Sequence, residues 1–115
     1  MKIINKTRGI TLAENAIIAK TPLKRMVGLL NRRQFEQGEA LIIKPCNSIH
    51  TFFMHFAIDV IFVNSNNRIT RTIRSMRPFR ISGIYLSALF SIELPAGTLA
   101  KTSTQTGDYI AIIWT

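Results

Sequence analysis

The stretch CNSIHTFFMHFAID gathers side chains that do chemistry in proteins. It holds a thiol, two imidazoles and a carboxylate, at Cys46, His50, His55 and Asp59. All are ligand types for zinc and other transition metals. The phenylalanine, threonine and isoleucine content favours a strand. Residues four apart in a strand lie about 13 Å from each other, which is too far for them to share one ion. The sequence therefore predicts neither a metal site nor another cofactor.

Two residues of this stretch, His50 and Asp59, also have a catalytic interpretation. A bend near Ala57 would fold the chain back and bring the two side chains to a shared edge. The aspartate would then orient the imidazole and raise its basicity. This hypothesis makes His50 and Asp59 the catalytic candidates of a small hydrolase-like enzyme, with Ser48 or Cys46 as its nucleophile. The alternative is a structural hydrogen bond, so the sequence leaves open whether the protein is an enzyme.

Positive charge is the extreme feature of the composition. The 115-residue chain has a formal net charge of +9 at pH 7, and no acidic residue lies between Asp59 and Glu93. Such a balance favours anionic partners. Within the same region arginine recurs at every third position: Arg68, Arg71, Arg74, Arg77 and Arg80.

The arginines cannot form one stripe on a flat strand, because side chains alternate between its two faces. Around Pro78 the chain must be irregular, and there we expect Arg74, Arg77 and Arg80, with Lys or Arg side chains of the predicted helix, to converge into an anion pocket. We predict a small basic binding domain whose partner is an anionic small molecule or a protein. The predicted ligand-binding residues are Arg25, His50, Asp59 and Arg77.

Nonspecific nucleic-acid binding is a further alternative. Phe79, Tyr85 and Trp114 are aromatic side chains on which bases could stack. The sequence contains no recognised nucleic-acid motif. A solvated basic face that only keeps the protein in solution accounts for the same charge equally well.

Short β-branched runs bounded by turn residues predict strands along most of the chain. KIIN and NAIIAK are predicted to flank a turn at Gly9, and NSNN to join a hairpin. The remaining predicted strands are Ala40–Ile43, Ile49–His55, Ile58–Val63, RITRTIRSM, LFSIEL and the end of TGDYIAIIW.

One helix is predicted in TPLKRMVGLLNRR, where Thr21 is the N-cap and Pro22 the first helical residue. Apolar residues recur on a single face of it. Many short strands with one or two short helices indicate an α+β fold dominated by antiparallel sheet. The sequence is compatible with either a barrel or a two-layer arrangement of that sheet. We expect residues 1–115 to form a single compact domain.

The setting expected from the sequence is the cytoplasm. Cys46 is the lone cysteine, so no intrachain disulfide can form, and the first residues lack the apolar core of a secretory signal. No run approaches the length of a transmembrane helix.

Five ordered motifs resemble the bacterial and archaeal family called domain of unknown function 192. They are TPLKRMVGLLNR, CNSIHTFFMHFAIDVIFV, MRPFR, IELPAGT and TGDYI, and the resemblance covers the chain from about Ala19 onward. It implies a compact, mostly β domain with a short helix or two, and it supplies no activity, substrate or catalytic residue. Ala57 stands where the family pattern commonly has proline.

Overall fold

The computed structural model of the protein describes residues 1–19, 35–52 and 54–114. The helix predicted in TPLKRMVGLLNRR lies outside these residues, as does Arg25. The described part contains eight strands and one helix. In chain order they are β1 (Lys2–Asn5), β2 (Ile10–Ala13), β3 (Asn15–Ala19), β4 (Glu39–Ile43), β5 (Ile58–Val63), β6 (Ile69–Met76), β7 (Phe90–Pro95), α1 (Thr98–Thr102) and β8 (Ile110–Ile113).

The strands form two sheets. The smaller sheet has the order β2-β1-β8, and the larger one has the order β3-β4-β7-β5-β6. The β3–β4 pairing is parallel, and each of the other described strand pairings is antiparallel. The predicted α+β fold dominated by antiparallel sheet is confirmed. In the described residues the strands make two open sheets and no closed barrel.

Two of the three inner strands of the larger sheet, β5 and β7, are buried along their whole length. Alternate residues of β5 belong to different apolar clusters. Ile61 and Val63 pack with residues of the smaller sheet and Leu99 of α1, while Val60 and Phe62 pack on the other face. A strand covered on both faces has no polar side to keep in water, which explains the nearly continuous apolar sequence of β5.

The prediction of a strand at Ile49–His55 is wrong for the described residues of that range. They contain a single bridge, His50 with Ile81, followed by a turn and a bend. Ile49 and Met54 are buried against the larger sheet. The apolar side chains of this stretch therefore cover a sheet instead of continuing one, and residue types alone do not separate these roles.

Two elements were not predicted. The turn at Gly9 leads from β1 into β2, and the four-residue β2 pairs back onto β1 before β3 begins. The sequence TLAKT forms α1, although two of its five residues are threonines with low helix propensity. None of the described helices is long and apolar enough to cross a membrane.

A buried polar network closes the end of the smaller sheet around Asp108, which is 4% exposed. Its Oδ2 accepts hydrogen bonds from Asn5 Nδ2 at 2.9 Å, Arg8 Nε at 2.9 Å and the Gln105 backbone N–H at 3.1 Å. Burial by itself would raise the pKa of Asp108, but these donors and the charge of Arg8 outweigh it and hold that pKa below its ordinary value. Asp108 is thus ionised and structural.

Candidate functional site

An open groove of about 520 Å³ lies between β6 and the irregular segment that follows it. We call it the arginine groove. Its charged lining residues are Arg71, Arg77 and Arg80, and its hydroxyl groups come from Ser75, Ser82 and Tyr85. Ile73, Met76, Ile81 and Gly83 complete the described lining. None of these residues is acidic, so the described walls carry only positive charge.

Arg71 enters the groove from the middle of β6. Its guanidinium carbon lies 5.0 Å from the centre of the Tyr85 ring, and that ring packs edge-on against the buried Phe62 at 4.8 Å. A cation over an aromatic face is attracted to the ring and has its plane oriented by it. The contact with Phe62 thus positions the Tyr85 ring, and the ring in turn orients the Arg71 guanidinium.

Thr51 fixes the turn that carries the other two arginines. Its side chain is fully buried. The hydroxyl donates to the Arg77 carbonyl and accepts from the Arg80 backbone N–H at 3.0 Å. Its backbone N–H donates to the Arg80 carbonyl at 2.9 Å, and its carbonyl accepts from the Phe79 N–H at 3.0 Å. One buried threonine therefore sets the backbone of residues 77–80.

Asp59 supports the floor of the groove from within the sheet. It is 1% exposed. Its Oδ1 accepts from the backbone N–H of Ser75 at 2.8 Å, and its Oδ2 accepts from the backbone N–H of Leu99 at 2.8 Å. Ser75 has a positive φ of 49°, a conformation that costs free energy for a non-glycine residue. The carboxylate stabilises that strained residue and the first turn of α1 together.

His50 belongs to the wall of the groove through its backbone. It bridges Ile81, while its exposed ring stacks on Phe52 with the centroids 5.3 Å apart. Next to this bridge, the Ser82 hydroxyl accepts from the Ile49 N–H at 2.8 Å. The segment 47–51 is thus the inner support on which the segment 79–85 rests.

The predicted site residues have separate places in this arrangement. Arg77 lines the groove, Asp59 binds the backbone of the lining residue Ser75, and His50 pairs with the lining residue Ile81. Asp59 directs both oxygens at backbone N–H groups, which makes it a structural acceptor in this geometry. Arg25 lies outside the described residues.

Other residues of the groove were missed. Arg71 lines it, whereas Arg74, which was expected in the pocket, is absent from its lining. The pairing of β6 with β5 is irregular between Ile73 and Met76, so the alternation of a flat strand does not hold there. Thr51 gave no signal in the sequence, since its importance comes from contacts about 26 to 29 residues away.

The candidate metal ligands of the sequence do not form a cluster in the described ranges. Among residues 1–19, 35–52 and 54–114, no group of three or more histidine, cysteine, aspartate or glutamate residues is placed to hold a metal ion. The Cys46 thiol donates to the Ser48 carbonyl at 3.1 Å. His55 is exposed.

The fold and the groove define a small two-sheet α+β domain with a basic surface site. The chain belongs to the DUF192 family, described as "Uncharacterized ACR", whose model matches residues 3–112. The predicted family resemblance is confirmed. A UPF0127 protein of Pyrococcus horikoshii is 31% identical over 113 residues, which cover 94% of this chain and 96% of that protein.

Two solved structures share the fold. A protein of unknown function from Novosphingobium aromaticivorans superposes with a TM-score of 0.83 at 18% identity, over 97% of this chain and 84% of that one. A protein from Sinorhizobium meliloti superposes with a TM-score of 0.78 at 21% identity, over 96% of this chain and 89% of that one. At these identities the likeness concerns the fold alone.

Proposed function

We propose that the protein binds an anionic group, carried by a small molecule or a partner, in the arginine groove. The observation that carries this proposal is the convergence of Arg71, Arg77 and Arg80 on one groove whose described lining has no acidic residue. Guanidinium groups bind phosphate and carboxylate through paired, charge-assisted hydrogen bonds. The hydroxyl group of Ser75 adds a neutral donor that suits the same oxygen atoms.

Rigidity supports the same proposal. Arg71 is oriented by Tyr85, and the backbone of Arg77 and Arg80 is fixed by Thr51. A site that is ordered before binding loses less conformational entropy when the anion arrives. In this proposal Asp59 and His50 position the walls, and Arg77 contacts the ligand. We expect binding in the cytoplasm, where a lone thiol such as Cys46 stays reduced.

The test compares two arginines of the same region. Arg77→Gln and Arg74→Gln remove the same charge from the same residue type, three residues apart, but only Arg77 lines the groove. The affinities for inorganic phosphate and pyrophosphate are measured by NMR titration and by thermal shift at two salt concentrations. Loss of one exposed guanidinium contact should weaken binding about 3- to 10-fold.

The proposal requires that Arg77→Gln weaken binding and that Arg74→Gln leave it within about twofold, since a distant exposed charge is screened by salt. Equal weakening by both variants would indicate a diffuse polyanion surface and contradict a localised groove. The nucleic-acid alternative predicts that equal weakening, together with a steep loss of affinity for short oligonucleotides as salt rises.

A further inference from the structure

Large apolar side chains stand exposed beside the arginine groove. Phe79 is 59% exposed, Ile81 71%, Ile84 69% and Leu86 85%. We call these four residues the apolar rim. Ile81 also lines the groove itself. Single exposed apolar residues are ordinary on protein surfaces, but four within eight residues of one segment mark an interaction site.

One residue of the rim, Phe79, adopts an unfavourable backbone conformation. Phe79 has a φ of 60°, a left-handed conformation that is unfavourable for a bulky residue. Its backbone N–H is bound by the Thr51 carbonyl at 3.0 Å, so the conformation is imposed by the same buried threonine that sets the arginine turn. The exposed position of this ring is therefore built into the fold.

The rim alternates with positive charge along the chain. Arg77 precedes Phe79, Arg80 lies between Phe79 and Ile81, and the nearest acidic residues in sequence are Asp59 and Glu93. A partner that matches this surface has negative charge to meet the arginines and, just beneath that charge, an apolar layer to receive the rim. An anionic lipid bilayer has that profile, since its phosphate groups lie above the hydrocarbon.

We propose that the apolar rim inserts into the interface of an anionic bilayer while the arginine groove binds a lipid phosphate. This inference rests on the proposed function, because it names the carrier of the anion. The choice of a bilayer rests on the alternation of exposed apolar residues with arginines in one segment.

Backbone hydrogen bonds anchor the rim segment to the segment beneath it. The segment 79–85 has backbone hydrogen bonds to segment 47–51 at four points. The donors are the N–H groups of Phe79, Ser82, Tyr85 and, from the supporting segment, Thr51, at distances of 2.8 to 3.0 Å. The backbone groups paired in this way can approach hydrocarbon without losing a hydrogen bond to water.

The test uses the full chain with sedimented vesicles of phosphatidylcholine alone or with about 30% phosphatidylglycerol. Binding is expected only with the anionic lipid. The double variant Ile84→Ser with Leu86→Ser should bind these vesicles about 10- to 100-fold more weakly. Ile17→Ser is the matched control, because Ile17 is 59% exposed on β3, at the opposite edge of the larger sheet from β6. It should bind as the wild type does.

A spectroscopic measurement reports insertion directly. Trp114 is the single tryptophan, so Leu86→Trp in a Trp114→Phe background places the only indole in the rim. Its emission should shift to shorter wavelength with anionic vesicles and be quenched by brominated lipid chains. An unshifted spectrum in the presence of bound vesicles would overturn the insertion.

Free inorganic phosphate separates the two proposals. The rim variant should keep the wild-type phosphate affinity, whereas Arg77→Gln should weaken the binding of both phosphate and vesicles. Phosphate binding without any vesicle binding overturns the membrane inference and supports the groove alone. Vesicle binding that needs the rim but is unchanged by Arg77→Gln overturns the groove as the lipid site. Vesicle binding that is equal in the rim variant and in Ile17→Ser overturns the rim.

Discussion

Asp59→Asn is the sharpest test of how the groove is built. Both carboxylate oxygens accept a backbone N–H at 2.8 Å, one from Ser75 and one from Leu99. An amide has the same shape but only one accepting oxygen. Whichever way it turns, its NH₂ group faces one of the two N–H donors. Since Asp59 is 1% exposed, water cannot replace the lost acceptor.

The size of the effect follows from these contacts. A hydrogen bond to a charged group contributes about 1.5–3 kcal/mol, and a buried donor left without its acceptor costs about 1–3 kcal/mol. These terms overlap, so we expect Asp59→Asn to lower the free energy of unfolding by about 2–4 kcal/mol. In a domain of this size that corresponds to a fall in Tm of about 8–17 °C.

Urea unfolding followed by circular dichroism measures this change. The matched control is Glu14→Gln, which removes a carboxylate that is 60% exposed and pairs with Lys2 at 3.5 Å. It should change stability by less than about 0.5 kcal/mol. Hydrogen exchange adds a local readout, because the Ser75 and Leu99 amides should lose protection in Asp59→Asn. Equal urea midpoints for both variants, or unchanged protection of both amides, would refute the role assigned to Asp59.

Three further perturbations test other parts of the structure. The pKa of Asp108 is lowered in the folded state, so the stabilisation by its carboxylate is present above the unfolded pKa and is lost as pH falls through the folded pKa. Urea unfolding from pH 7 to 2 should therefore show Asp108→Asn less stable than the wild type at pH 7. The difference in unfolding free energy between the two proteins should shrink as the pH falls. Thr51→Val keeps the shape of the side chain but removes the donor to the Arg77 carbonyl, so stability should fall by about 1–3 kcal/mol in urea unfolding, with weaker phosphate binding. Gly83→Ala would place a Cβ 3.3 Å from the Tyr85 ring, so we expect a stability loss of about 1 kcal/mol and a shifted Tyr85 ring signal in NMR; an unshifted signal would contradict the contact.

Much of the β structure could be predicted from local sequence. β1, β3, β4, β5 and β6 lie where β-branched runs bounded by glycine, proline or asparagine predict them. The Asn64–Asn67 turn joins β5 to β6 as expected, with the Asn67 N–H donating to the Asn64 carbonyl at 3.0 Å. These features need only neighbouring residues, so the sequence signal is direct.

The helix α1 could not be predicted in this way. Its five residues are too few to show a helical period, two of them are threonines, and its N-cap residue, Gly97, has no side chain to accept a hydrogen bond. The acceptor comes from Asp59, forty residues earlier in the chain. A capping group supplied from another strand leaves no trace in the local pattern.

The site was predicted only in outline. Positive charge and the irregular chain at Pro78 indicated an anion pocket near Arg77, and Arg77 does line the groove. The ligand-binding roles given to Arg25, His50, Asp59 and Arg77 stay predictions. Asp59 shows why residue type misleads here, since the same carboxylate that suggests catalysis also satisfies two backbone donors.

The sequence by itself determined the family, the antiparallel sheet and the sign of the charge, because motifs, residue periodicity and composition are properties of the chain. The tertiary structure alone decided which arginines share a face, which threonine sets their backbone and where the apolar rim projects. Those features depend on contacts between segments tens of residues apart, which pack together on one face of the larger sheet. The distance between Thr51 and the turn at residues 77–80 is set by that packing and by nothing in either segment alone.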